Sequence, residues 1–306
     1  MVCTSNDVKD TTCNGNGLLV PPLPFDDCTS QPKATAEVVQ DKSCPHKMYR
    51  VGYKLDDGQF LELYRSCYDV EHLTAHFVKH SVYPNTLSIA RPPQGFTTDR
   101  VISGNQAASF EASRIYSRFA SLLGQQQGFV KSKRDMVFDR GHLAPSADFN
   151  FGEHMSATFK YINLVAQYQG VNRGNWKTIE TWIRKQANMG PYRELQVCTG
   201  GLGVLQLPDS SQVPTAIYLE GTNSNPVPKW LFKIVKDVAA TPPAPIHIAI
   251  LTYNNIENTG TVSPPCQQIL CPFANVLNSD GKKGLTFCCD PKEFIRNNVP
   301  HLENVC

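Results

Sequence analysis

The placement of eleven cysteines constrains this chain more than any other feature. Cys3, Cys13, Cys28, Cys44, Cys67, Cys266, Cys271, Cys288, Cys289 and Cys306 lie outside residues 68–265, and Cys198 stands alone inside that stretch. Cysteines gathered at both ends read as cross-links that tie the ends down, and such links persist in an oxidising compartment. No two have C-x-x-C spacing, which disfavours a thiolate zinc knuckle. Cys44 and Cys67 bracket one hairpin and are candidates for a bridge, although spacing alone does not fix connectivity. The odd number leaves one cysteine free, or one whose partner was removed with the natural N-terminus. The opening residues lack a basic region followed by an apolar run, as expected of a mature secreted chain with an added Met. No stretch is apolar enough for long enough to cross a membrane, so no membrane partner is expected.

With 41% hydrophobic and 18% charged residues, a chain of 306 can bury a large core. Residues 1–45 hold four cysteines and the cluster Pro21, Pro22 and Pro24, and read as a small stapled extension. Residues 46–306 read as the main domain, closed from about 264 by a cysteine-rich cap. Its start, Met48 to Leu55, then Asp56-Asp57-Gly58, then Gln59 to Tyr64, predicts a hairpin. Thr74 to Val82 predicts a strand that stops at Tyr83-Pro84. His72, His76 and His80 have helical spacing, but the β-branched content favours a strand. No carboxylate or cysteine accompanies them, so a metal role is disfavoured.

A packing helix is predicted over 105–123, with Phe110, Ile115, Phe119, Leu122 and Leu123 on one side and Gly124 as its stop. A second is predicted from Asn175 to Asn188, with an apolar stripe of Trp176, Ile179, Ile183 and Ala187. Asn172 or Asn175 would cap its start, and Gly190 lies past its end. Further strands are expected at Glu194 to Gly200, Lys229 to Asp237 and Ile246 to Tyr253. Strands and helices mix without a βαβ rhythm, which predicts an α+β fold.

The net charge of +2 is uneven: Lys131 to Arg193 contains ten Lys/Arg against five Asp/Glu. Local positive charge suits a polyanionic partner, or simply a solvated basic face. Within this stretch Met136 to Pro145 runs from an apolar strand into the turn Asp139-Arg140-Gly141-His142. Alone, that turn is also compatible with a surface ion pair and a structural histidine.

Two downstream blocks change the balance. Tyr161-Ile162-Asn163-Leu164-Val165-Ala166-Gln167 is followed by Asn172-Arg173-Gly174-Asn175-Trp176 and then Glu180. Here the chain resembles the DNA/RNA non-specific endonuclease family with its ββα-metal site. That family carries D-R-G-H, N-x-x-P-Q and N-x-G-x-W with a Glu four residues past the Trp. Only Ala166 departs, standing where the family has proline. The resemblance runs from roughly Tyr49 to Tyr253, and the cysteine-rich ends look like the secreted arthropod branch, which includes double-strand-preferring nucleases.

The resemblance implies a central, mostly antiparallel sheet flanked by helices. It also implies a secreted endonuclease acting on DNA and/or RNA, double-stranded by preference, with Mg²⁺ (or Mn²⁺) and 5′-phosphate products. His142 resembles the general base, since an imidazole titrates near neutrality. Asn172 resembles the single direct metal ligand, a hard neutral oxygen suited to a mostly hydrated ion. Glu180 would orient metal-bound waters. Asn163 would steady the site by hydrogen bonding, or serve as a buried structural amide. Arg140 would reach a phosphate oxygen, and Asp139 would orient Arg140 or the turn. An upstream arginine for transition-state charge is assigned to Arg91, with Arg100 and Arg114 as rivals. The alternative function is a secreted nucleic-acid-binding protein with little catalysis, against which the intact His142, Asn172 and Glu180 argue.

Overall fold

The computed structural model describes residues 33–55, 58–85, 89–190, 192–238, 246–257 and 262–306, besides a few strand fragments within 2–20. Most of the expected N-terminal extension, with Cys3, Cys13 and Cys28, therefore lies outside the described residues. The strands that build the scaffold are β1 (Thr35–Val39), β2 (Lys47–Lys54), β3 (Phe60–Asp69) and β4 (Thr74–Val82). Past the helical part follow β7 (Leu195–Val204), β8 (Pro228–Asp237), β9 (His247–Tyr253), β10 (Gln268–Ile269) and β11 (Thr286–Cys289). Together they form a nine-stranded antiparallel sheet in the order β10-β11-β9-β8-β7-β4-β3-β2-β1. The segment assigned to the extension thus supplies Thr35–Val39 as an edge strand, and the C-terminal segment supplies the opposite edge.

Side chains alternate across a strand, so one sheet can serve two cores. Leu231 and Val235 of β8 and Ile248 and Ile250 of β9 join one buried cluster. Phe232 and Ile234, with Ala249 and Leu251, join the other. The first core takes the helices α1 (Ala112–Leu123) and α2 (Lys177–Met189), through Ile115, Phe119, Ile179 and Ile183. The second takes α3 (Pro291–Asn298) through Phe294, packed on Phe232 at 5.6 Å between ring centroids. The chain is thus α+β. Among the described residues it is cross-linked by Cys44–Cys67, Cys198–Cys306, Cys266–Cys289 and Cys271–Cys288. Cys198, isolated in sequence, bridges 108 residues to the C-terminus. On chain-entropy grounds a closure of that length stabilises by about 4–5 kcal/mol.

Two expectations about helices need correction. The segment 105–123 is not one helix: a short turn at Gly104–Ala107, capped by Ser103, runs into a 3₁₀ turn, and Glu111 leaves helical geometry before α1 starts. Neither Asn172 nor Asn175 caps α2, which begins without a side-chain cap. Asn175 instead donates to the carbonyls of Asn278 and Gly284 and accepts from the amide of Asn278, tying the helix entry to a distant loop. The apolar stripe of α2 and the stop at Gly190 are as expected.

Candidate active site

A second, two-stranded sheet holds the motif residues. β5 (Phe138–His142) pairs antiparallel with β6 (Leu164–Tyr168), placing His142 opposite Leu164. The chain then passes through a helical turn and an expanded turn, Asn172–Trp176, into α2. Two glycines of the motifs have steric reasons. A Cβ on Gly141 would lie 2.0 Å from the Gln167 side chain, and one on Gly174 would lie 2.6 Å from the Lys283 carbonyl oxygen. Gly174 also leaves helical geometry, and that kink sets Asn172 apart from the straight axis of α2.

Between this unit and the upstream loop opens a cleft of about 540 Å³. His142, Asp139, Arg140, Asn172 and Glu180 all line it, with Arg91 from upstream. Arg173, Lys177 and Arg184, which the sequence reading did not single out, line it too. Cations outnumber carboxylates there, so the cleft suits an anion. Of the three candidate upstream arginines, only Arg91 lines this cleft. Its guanidinium lies 4.6 Å from the Phe159 ring centroid. Arg114 donates to Asn105 on the surface.

The His142 ring sits between Phe96 at 5.2 Å and Phe159 at 4.9 Å, centroid to centroid. Its Nε2 is shielded from solvent and has no hydrogen-bond partner. Burial, with the Arg91 charge adding to it, pushes its pKa down to about 3, so the imidazole is neutral. Arg140 leans on Phe96 and Tyr161, and its Nε has no partner.

Asp139 does not orient Arg140, because successive side chains of a strand diverge. Its carboxylate turns to the helix entry and accepts from Asn172 Nδ2 at 2.9 Å and from Arg173 Nε and Nη2 at 3.0 Å each. Gln169 Nε2 donates to it as well, at 3.2 Å. Holding the Asn172 amide by its nitrogen leaves Oδ1 as the free edge. Asn163 is fully buried and does not line the cleft. It donates to the carbonyls of Ala144 and Thr158 and accepts from the Ala144 amide, so it pins the backbone just after His142.

Beneath the cleft lies a set of buried charges that sequence reading missed. Asp148 accepts from Arg184 Nη1 at 2.8 Å and pairs with His80 Nε2 at 2.9 Å. Lys233, fully buried on β8, donates to Thr199 Oγ1 at 3.0 Å and to the Leu143 carbonyl at 3.4 Å. Its ammonium lies 4.8 Å from the Trp176 ring centroid. Burial raises Glu180 to about 7, against the pull of Lys233 and with Asp148 pushing further. A lysine inside the apolar run Phe232-Lys233-Ile234 was the available signal.

The residues present suit a hard divalent cation. Asn172 Oδ1 is oriented and free, Glu180 faces the same cleft, and oxygen donors are what such ions take.

β5, β6 and α2 thus form a ββα unit beside a cation-lined cleft. The family model for DNA/RNA non-specific endonucleases matches residues 44–294, and the chain belongs to that family. It is 29% identical over 300 residues to the salivary endonuclease of Lutzomyia longipalpis, covering 95% of this chain and 70% of that one. It is 23% identical to the salivary endonuclease of Culex quinquefasciatus, covering 97% and 78%. Among solved structures, a chain of the EndoG/EndoGI complex matches with a TM-score of 0.43 and 21% identity, over 67% of this chain and 76% of that one.

Proposed function

We propose that this chain is a secreted, divalent-metal-dependent endonuclease that hydrolyses phosphodiester bonds of DNA and RNA to 5′-phosphate ends and favours duplexes. The observation that carries the reading is the neutral His142, with an unpartnered ring nitrogen, in one cation-lined cleft with the Asp139-held Asn172. His142 takes the proton of an attacking water as its oxygen bonds to phosphorus and the P–O3′ bond breaks. Arg140 and Arg91 hold the phosphate oxygens and the charge that builds on them. Asn172 Oδ1 would hold Mg²⁺ or Mn²⁺, with Glu180 nearby, and the ion when bound supplies Lewis-acid stabilisation for the leaving oxygen. Asp139 fixes the amide, while Asn163 and Lys233 hold the His142 loop.

Secretion is supported by the disulfides, which persist in oxidising compartments, and by relatives named as salivary endonucleases. The test is a cleavage panel of plasmid, single-stranded DNA and double-stranded RNA, with and without EDTA. Metal-dependent cutting that is lost in folded His142→Ala is expected. Tight binding without metal-dependent turnover would instead mark a binding protein, and a His142→Ala variant cutting at the wild-type rate would overturn the mechanism.

A further inference from the structure

Away from the cleft, three histidines converge on one carboxylate at the shared end of β2, β3 and β4. Asp69 ends β3 and is almost fully buried. Its Oδ1 accepts from the amides of Glu71 and His72, which accounts for the turn into β4. Its Oδ2 faces elsewhere. His72 Nδ1 lies 2.7 Å from it, His46 Nδ1 3.4 Å and His76 Nε2 3.9 Å. The His46 and His76 rings stack at 4.4 Å between centroids. None of these four residues lines the catalytic cleft.

Two features of the fold aim these groups at one point. The Cys44–Cys67 bridge joins the residue two before His46 to the residue two before Asp69, so both ligands are held at a covalent junction. His76 is the extra residue of a β-bulge: Cys67 opposes Phe77 and Tyr68 opposes Ala75, which leaves His76 unopposed. A bulge re-aims its side chain, and here the ring leaves the ladder pattern and turns to Asp69. Its Nε2 ends shielded from solvent without a hydrogen-bond partner. A buried ring nitrogen left in this way has lost its hydration without gaining a partner. The distances of His46 and His76 to Oδ2 are long for hydrogen bonds. They approach the separation of about 3.3 Å between neighbouring ligands that tetrahedral Zn²⁺ imposes when each lies near 2.0–2.1 Å.

We infer that His46, Asp69 and His76 form a second metal site, separate from the catalytic one, that takes Zn²⁺ or a similar borderline transition ion. The three ligand atoms lie within 4.8 Å of one another. Two imidazoles and a carboxylate select such an ion over Mg²⁺, which prefers oxygen alone. His72 supports the ligand carboxylate through its hydrogen bond, the usual arrangement around protein-bound zinc. Asp69 supplies the carboxylate that His72, His76 and His80 lack as a sequence triplet, and His46 stands where the core-facing His80 does not reach.

The test uses the whole chain, stripped with EDTA, given Zn²⁺ in slight excess over protein with millimolar Mg²⁺ present to occupy the catalytic site, then desalted. About one Zn²⁺ per chain is expected to remain and to raise Tm. His46→Ala and His76→Ala should each weaken Zn²⁺ retention at least 10-fold and abolish the Tm rise, while His46→Ala keeps the Mg²⁺-supported cleavage rate. Absence of Zn²⁺ uptake by the wild type, or wild-type retention in both folded variants, overturns the site. X-ray absorption on the zinc-loaded wild type is an independent check: a shell of nitrogen and oxygen with imidazole scattering supports it, and a sulfur-containing or imidazole-free shell overturns it.

Discussion

The polar and charged groups of the cleft and those of the layer beneath it differ in how they are paired. In the cleft, His142 Nε2 and Arg140 Nε have no partners, and the aromatic rings around them offer none. A few ångströms deeper, Asp148 is paired with both His80 and Arg184, and Lys233 with Thr199 and the Leu143 carbonyl. Buried polar groups are ordinarily satisfied, because leaving one unpaired costs about 1–3 kcal/mol. On the proposed function, the groups left unpaired at the mouth are the ones that substrate satisfies, and the paired groups below keep them in place. The two regions should fail differently when mutated.

The largest effect is expected at the mouth. His142→Ala should lower kcat by about 10²–10⁴-fold with Tm nearly unchanged, since general-base contributions have that size. Lys233→Met should show the reverse pattern. Removing one member of a buried charge set leaves Glu180 and Asp148 without it, at about 3–5 kcal/mol of stability by urea unfolding. If Lys233→Met folds with wild-type stability, the supporting role assigned to the deeper layer is wrong.

A third test separates burial from charge at His142. The base works unprotonated, so activity falls as pH drops through its pKa. Burial and then Arg91 depress that pKa, so the acid limb of kcat/KM should lie below the ordinary histidine range near 6.5. Arg91→Ala removes only the second cause and should move the limb upward while lowering the plateau. A limb that stays put, in the variant and the wild type alike, would assign it to another group.

The contrast also explains what was legible in sequence. The mouth residues lie in short contiguous blocks, so Asp139 to His142, Asn163 and Asn172 to Glu180 could be matched to the motif blocks of the family the chain resembles. Arg91 needed the fold, because only its place in the cleft separates it from Arg100 and Arg114. The partner of Asp139 was misread, since adjacency in sequence does not mean contact across a strand. Asn175 looked like a cap because a helix start favours asparagine, while its amide was committed to the loop at Asn278 and Gly284. Lys233, in a strand, and Asp148, in a 3₁₀ turn, were missed because a charged residue is ordinarily taken as exposed, and their partners come from distant segments. The Asp69 cluster was hidden for a related reason: its groups come from the bend before β2 and from β3 and β4, and one depends on a bulge that no periodicity announces.

The smallest effect tests where the cleft gives way to the solvated surface around it. Asp139 sits on that boundary, shared between Asn172 inside the cleft and Arg173, whose side chain is 64% exposed. An exposed ion pair is worth about 0–1 kcal/mol, so Arg173→Ala should leave Tm within about 2 °C. Asp139 would keep its bond to Asn172 Nδ2, and the Mg²⁺ concentration for half-maximal cleavage should change by no more than about 5-fold, the equivalent of 1 kcal/mol. Asp139→Ala in the same assay should shift it further, because the Asn172 amide is then free to rotate. If Arg173→Ala matches Asp139→Ala, the arginine belongs to the cleft machinery and the boundary lies outside it.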